Sequence, residues 1–182
     1  MSDLLPKHLG GHANTTHVDR GALIYLMEAY EVGTMVDLGC GPGGQVREAQ
    51  GLGIQAFGVD GDWTCGPEEV HDFTVGPFPY APRVDLVWCV EFLEHIEERY
   101  LPNVMPFFCN AEVVVISAAP PGKGGHHHVN CQGAGYWIEK FYEEGFGPDR
   151  GSTMALRGAS TMEREFIRDR GLVFTRSKSP WT

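Results

Sequence analysis

Thr34-Met35-Val36-Asp37-Leu38-Gly39-Cys40-Gly41-Pro42-Gly43-Gly44 is the stretch on which the fold turns. An apolar run passes through an acid and ends in a cluster of glycines. A buried parallel strand reads this way when it opens into a loop of bare backbone at its carboxyl end. Closely spaced glycines allow positive φ angles and let a ligand approach where a Cβ would block it. The next strand-like run, Ile54-Gln55-Ala56-Phe57-Gly58-Val59-Asp60, closes on an acid and then Gly61. An acid at that spacing suits the gripping of ribose hydroxyls.

Working outward, the chain alternates strands and helices. Asp19 is expected to cap a helix through Tyr30, since Leu23, Met27 and Tyr30 recur at helical spacing. Strands are expected at 34–39, 54–60, 70–74, 84–90 and 112–117, and a final one at 172–176. Helices are expected at about 43–50, 92–100 and 136–144, with 152–169 mostly helical and Gly158 as its weak point. Pro102 and Pro106 are expected to break the segment beyond Tyr100. Residues 119–135 read as a long loop, and Phe146 to Asp149 as a short strand. This order predicts a doubly wound α/β architecture: a mostly parallel, Rossmann-like sheet of about seven strands with helices on both faces.

The 182 residues suit one domain spanning 1–182, with residues 1–18 as a flexible N-terminal arm. Hydrophobic residues make up 42%, enough for a core, and no apolar run approaches the length of a membrane span. The start, Met1 to His8, lacks the basic and apolar regions of a signal peptide, so a cytoplasmic location is expected. Five well-separated cysteines with no Cys-x-x-Cys argue against a disulfide framework or a zinc knuckle. A net charge of −10 without a basic patch disfavours nucleic acid as a partner.

Gly39-x-Gly41-x-x-Gly44 also satisfies the dinucleotide pattern, so the glycines alone do not decide the ligand. Asp37 does more. A carboxylate at that strand end would oppose a pyrophosphate and favour a cationic ligand. Asp72 and Phe73 supply an acceptor for an adenine amino group and an aromatic to cover the ring.

With these residues the chain resembles the class I S-adenosylmethionine-dependent methyltransferases. The likeness is carried by Val36–Gly43, Gly58-Val59-Asp60, Asp72-Phe73, Asp85–His95 and Gly145-Phe146, and spans about residues 20–176. The resemblance implies S-adenosylmethionine as co-substrate, with Gly39, Cys40, Gly41 and Gly43 beside its methionine and ribose. It implies Asp60 and Gly61 at the ribose, Asp72 and Phe73 at the adenine, and Cys89-Val90 beside the sulfonium. The sixth strand is where the chain departs from the family, because Gly145 to Ser152 is rich in Gly, Pro and Asp.

Methyl transfer to a hydroxyl requires that the acceptor lose a proton, to a base or with the help of a metal. Two segments offer this chemistry. In Glu91-Phe92-Leu93-Glu94-His95 the acids and the histidine stand at i, i+3 and i+4, one face of a helix. In His126-His127-His128, His127 and His128 are the candidate bases or substrate contacts. The small-RNA 3′-terminal 2′-O-methyltransferases are similar here, which implies a divalent cation on Glu91, Glu94, His95 and His128. Other small-molecule methyltransferases carry the same Glu-x-x-Glu-His without a metal. The expected function is O-methylation of a small hydroxyl-bearing substrate such as a sugar or metabolite. Two alternatives stand beside it: metal-dependent 2′-O-methylation of an RNA 3′ end, and a non-catalytic S-adenosylmethionine-binding partner protein. The oligomeric state is not legible.

Overall fold

The structure is a computed structural model and describes residues 4–80 and 82–176. Its elements run α1 (Arg20–Tyr30), β1 (Thr34–Leu38), α2 (Gly44–Gly51), β2 (Gln55–Asp60), β3 (Glu69–Val70), β4 (Val84–Val90) and α3 (Leu101–Phe108). They continue with β5 (Ala111–Ser117), α4 (Ala134–Glu143), β6 (Phe146–Pro148), α5 (Arg150–Ala159), α6 (Phe166–Arg170) and β7 (Leu172–Arg176). The seven strands form one sheet in the order β3-β2-β1-β4-β5-β7-β6. It is parallel except for β7, which runs antiparallel to both β5 and β6.

Successive side chains of a strand point to opposite faces, so a strand covered on both sides must be apolar throughout. In β5, Val114 and Ile116 enter one core with Phe108, Phe141 and Phe174. Val113 and Val115 enter the other with Leu23, Leu26, Trp88, Leu156 and Ile167. Thus α3 and α4 cover one face, and α1, α5 and α6 the other. The first core is fixed by aromatic contact: the Phe141 and Phe174 rings stack with centroids 4.5 Å apart. Each such ring, wholly buried, contributes about 1.5–3 kcal/mol.

Helix α1 begins as expected, with Asp19 Oδ1 accepting from Ala22 N at 3.0 Å. Four expectations change. The third strand stops at Val70, because Asp72 folds into a turn in which its Oδ1 accepts from Thr74 N and its carbonyl from Val75 N. The helix expected over 92–100 is two short 3₁₀ turns, Leu93–His95 and Glu98–Tyr100. The Glu94 carbonyl that a helix would use accepts instead from Val129 N and Asn130 N, both at 3.0 Å. Pro102 and Pro106 do not prevent α3: Pro102 sits in the first turn, where no N–H is needed. The missing bond at Pro106 falls on the carbonyl of that same first turn. The helical stretch 152–169 divides into α5 and α6, and the break comes at Ser160 rather than at Gly158. Ser160 Oγ donates to the buried Asp19 carboxylate, which draws the chain off the helical path. Strand β6 is three residues long, short as its composition implies.

Candidate active site

Strands β1, β2 and β4 deliver their carboxyl ends to one crevice at the point where the sheet order reverses. Its floor is the glycine loop. Gly39 has φ +78°, and a Cβ there would lie 2.4 Å from Phe92 Cδ2, so only glycine fits. Gly39 N and Cys40 N donate to Val59 O, tying the loop to β2. Asp60 completes the tie: its Oδ2 accepts from Gly41 N and its Oδ1 from Asp62 N, both at 2.8 Å. The acid at the end of β2 therefore shapes the loop as well as facing the crevice.

Asp37 is buried at the end of β1, and burial, with Asp60 and Glu68 nearby, pushes its carboxyl up to about 8. Asp72 Oδ2 accepts from His8 Nε2 at 2.8 Å. Burial would raise this acid, but the Thr74 donors and His8 outweigh it and hold it below its ordinary value.

The far end of the crevice is polar. Glu94 is fully buried, its Oε1 accepts from Ala119 N at 3.0 Å, and its Oε2 has no partner. Burial and the neighbouring Glu91 push this carboxyl well above its ordinary range. Burial and His128 bring His95 down to about 4, so its ring is neutral at physiological pH. His128 Nδ1 donates to Lys123 O at 3.0 Å, which leaves Nε2 as the free lone pair. The ligating atoms of Glu94, His95 and His128 all lie within 4.8 Å of one another.

One cavity of about 380 Å³ joins these two ends. Asp37, Gly39, Cys40, Gly41, Asp60, Gly61, Asp72, Phe73, Val90, Glu91, Glu94, His95 and His128 line it, which brings most of the expected residues together. Gly43, Cys89 and His127 do not line it. Cys89 is fully buried, and His127 turns toward His8, ring centroids 5.9 Å apart. Glu91 stands apart from the three-residue cluster. It has φ +54°, and its carboxylate accepts from Ser117 Oγ at 2.8 Å and Arg170 Nη2 at 2.9 Å. The loss of helix over 92–100 removes the shared face that would have joined it to Glu94.

The roof of the crevice comes from the N-terminal arm. Residues 8–12 and 15–17 of the arm line the crevice. His8 reaches Asp72, His12 Nε2 donates to Asp62 at 3.1 Å, and Thr16 Oγ1 accepts from Gly44 N at 3.1 Å. The histidines of this segment were the one available signal. A second grouping, His12, Asp60 and Cys65, could also ligate a metal. Its groups are already engaged: both His12 nitrogens and both Asp60 oxygens have partners, and Cys65 Sγ donates to two carbonyls.

No protein-family model matches the chain, and no curated protein does. Solved structures do. A TehB-like S-adenosylmethionine-dependent methyltransferase from Corynebacterium glutamicum aligns with TM-score 0.59 at 17% identity, covering 86% of this chain and 88% of that one. The methyltransferase domain of bacterial CtHen1 aligns with TM-score 0.57 at 13% identity, over 87% and 97%. Magnesium protoporphyrin IX methyltransferase from Synechocystis, solved with bound S-adenosylhomocysteine, aligns with TM-score 0.57 at 16% identity, over 85% and 80%. With its strand order, its antiparallel β7 and its crevice at the carboxyl ends, the chain has the class I S-adenosylmethionine-dependent methyltransferase fold.

Proposed function

We propose that this chain is an S-adenosylmethionine-dependent methyltransferase that methylates a hydroxyl of a small molecule, such as a sugar or sugar-containing metabolite. One observation carries the reading: a single cavity joins the glycine loop and its carboxylates to the buried Glu94–His95–His128 cluster. Asp37 meets the cationic methionine end, Asp60 the ribose and Asp72 the adenine. Each carboxylate oxygen that already accepts from the protein keeps a second lone pair for the ligand.

The sulfonium is a good leaving group, so much of the acceleration comes from holding acceptor oxygen, methyl carbon and sulfur in line. The hydroxyl oxygen attacks the methyl carbon, the carbon–sulfur bond breaks, and its electron pair stays on sulfur as a neutral thioether. The hydroxyl proton passes to His128 Nε2, the free nitrogen of the cluster. Calorimetry should find S-adenosylhomocysteine bound. A panel of hydroxylated small molecules should yield S-adenosylhomocysteine, and His128→Gln should slow turnover about 100-fold or more. Binding without turnover across the panel would leave a non-catalytic binding protein; no binding would end the reading.

A second reading adds a divalent cation, and the partnerless Glu94 Oε2 favours it. A buried carboxyl oxygen beside two imidazoles fits the donor set of a divalent ion. Glu94, His95 and His128 would hold it, and when bound it would acidify the acceptor hydroxyl. Glu91 would not be a ligand, since Ser117 and Arg170 occupy it. Methylation of an RNA 3′ end rested on the four-residue set, and three of the four converge.

A further inference from the structure

The arm and the loop after β5 meet above the cavity. His126 Nε2 donates to Leu9 O at 2.8 Å. At Gly11 the arm backbone is laid directly on the histidines: a Cβ there would stand 3.0 Å from His95 Cε1 and 3.4 Å from His126 Cδ2. On the loop side, a Cβ on Gly125 would stand 2.2 Å from His128 Nε2, so that ring rests on bare backbone. The same few residues roof the cofactor end. A Cβ on Gly61 would come 2.6 Å from Leu9 Cδ2, and one on Gly41 would come 3.1 Å from His12 Cβ. His8 and His12 bridge to Asp72 and Asp62.

One short segment thus touches both the cofactor crevice and His95, whose ring meets that of His128 edge-on with centroids 5.0 Å apart. We infer that arm residues 8–12 position this pair, so that cofactor and divalent cation bind with positive coupling. The inference rests on the cation reading above. The physical reason is that the held-down arm seen here is disfavoured by conformational entropy against its open states. A ligand bound at either end favours the held-down arm, and the second then finds the roof in place. Coupling of this kind is reciprocal: each ligand tightens the other by the same factor.

The test is Mn²⁺ binding to the full chain, by calorimetry and electron paramagnetic resonance, with and without S-adenosylhomocysteine. In wild type the nucleoside should tighten Mn²⁺ about tenfold, and Mn²⁺ should tighten the nucleoside equally. His126→Ala removes the clasp and Gly11→Ala crowds the arm against the His95 ring. In both, the factor should fall to near one while Mn²⁺ still binds alone. His126→Gln, which keeps an N–H donor, should recover part of the coupling. Gly125→Ala should lose Mn²⁺ yet keep the nucleoside. A factor of one in wild type, or an unchanged factor in both His126→Ala and Gly11→Ala, overturns the inference while leaving the cation site standing. Mn²⁺ that fails to bind wild type, or binds Glu94→Gln equally well, overturns the inference and the cation reading together.

Discussion

Asp37 is where the needs of the folded protein and of its ligand conflict. A carboxylate buried beside Asp60 and Glu68 is costly to ionise, and its pKa rises to about 8. The native protein therefore holds a proton that the unfolded chain has released above its ordinary value of 3.8. Stability from this group is present below pH 3.8 and is lost as the pH rises toward about 8. Asp37→Asn should accordingly raise the melting temperature at pH 8 and change it little at pH 4, a contrast that thermal melts across the range would read. The same proton matters for the ligand. A cationic donor favours the ionised acid, so S-adenosylmethionine binding at pH 7 should release protons. Calorimetry in buffers of different ionisation enthalpy should detect the release in wild type. Asp37→Asn should abolish it and bind more weakly. Equal release in both would place the cation away from Asp37.

At the scale of elements, Asp19 shows how one side chain fixes several. It caps α1 through Ala22 N, and it also accepts from Ser160 Oγ and Thr161 N, between α5 and α6. It is fully buried. Asp19→Ala should cost about 2–4 kcal/mol, one cap plus donors left without a partner, as measured by urea unfolding. Asp19→Asn keeps the cap acceptor and should cost less. The cap itself was legible in the sequence, because a helix start is a local pattern. So were the strands, the glycine floor and most of the crevice residues, whose apolar runs and spacing are local too. The errors share a cause. The 3₁₀ turns after β4, the end of β3 and the break at Ser160 each depend on a competing bond. Two of those bonds reach far along the chain, from Glu94 O to residues 129 and 130 and from Ser160 to Asp19. Glu91 was paired with Glu94 on a helical face that such a bond prevents. The arm's partners were hidden for the same reason: they lie 50 and 64 positions away.

For the molecule as a whole, charge bears on which acceptor the proposed reaction would take. The chain carries a net charge of −10. The cavity wall repeats that bias in Asp60, Asp72 and Glu91, with Lys123 as its one Lys or Arg among the described residues; Asp37 and Glu94 hold their protons toward neutral pH. A polyphosphate acceptor gains most of its affinity from phosphate contacts with Lys and Arg, and that affinity falls steeply with salt. Such contacts are scarce here, so single-stranded RNA bearing a 3′-terminal ribose should bind more weakly than about 10⁻⁴ M at physiological salt. Neutral or cationic hydroxylated small molecules meet no such penalty, and their turnover should change little between 50 and 200 mM salt, about the range over which polyanion binding collapses. Fluorescence anisotropy with a labelled oligonucleotide, run beside the small-molecule panel at both salts, separates the two acceptors. Micromolar RNA binding with a steep salt slope, and methyl transfer that tracks it, would move the acceptor from metabolite to polymer. A flat, weak RNA response with salt-independent turnover of a small alcohol is the result that the acidic wall requires.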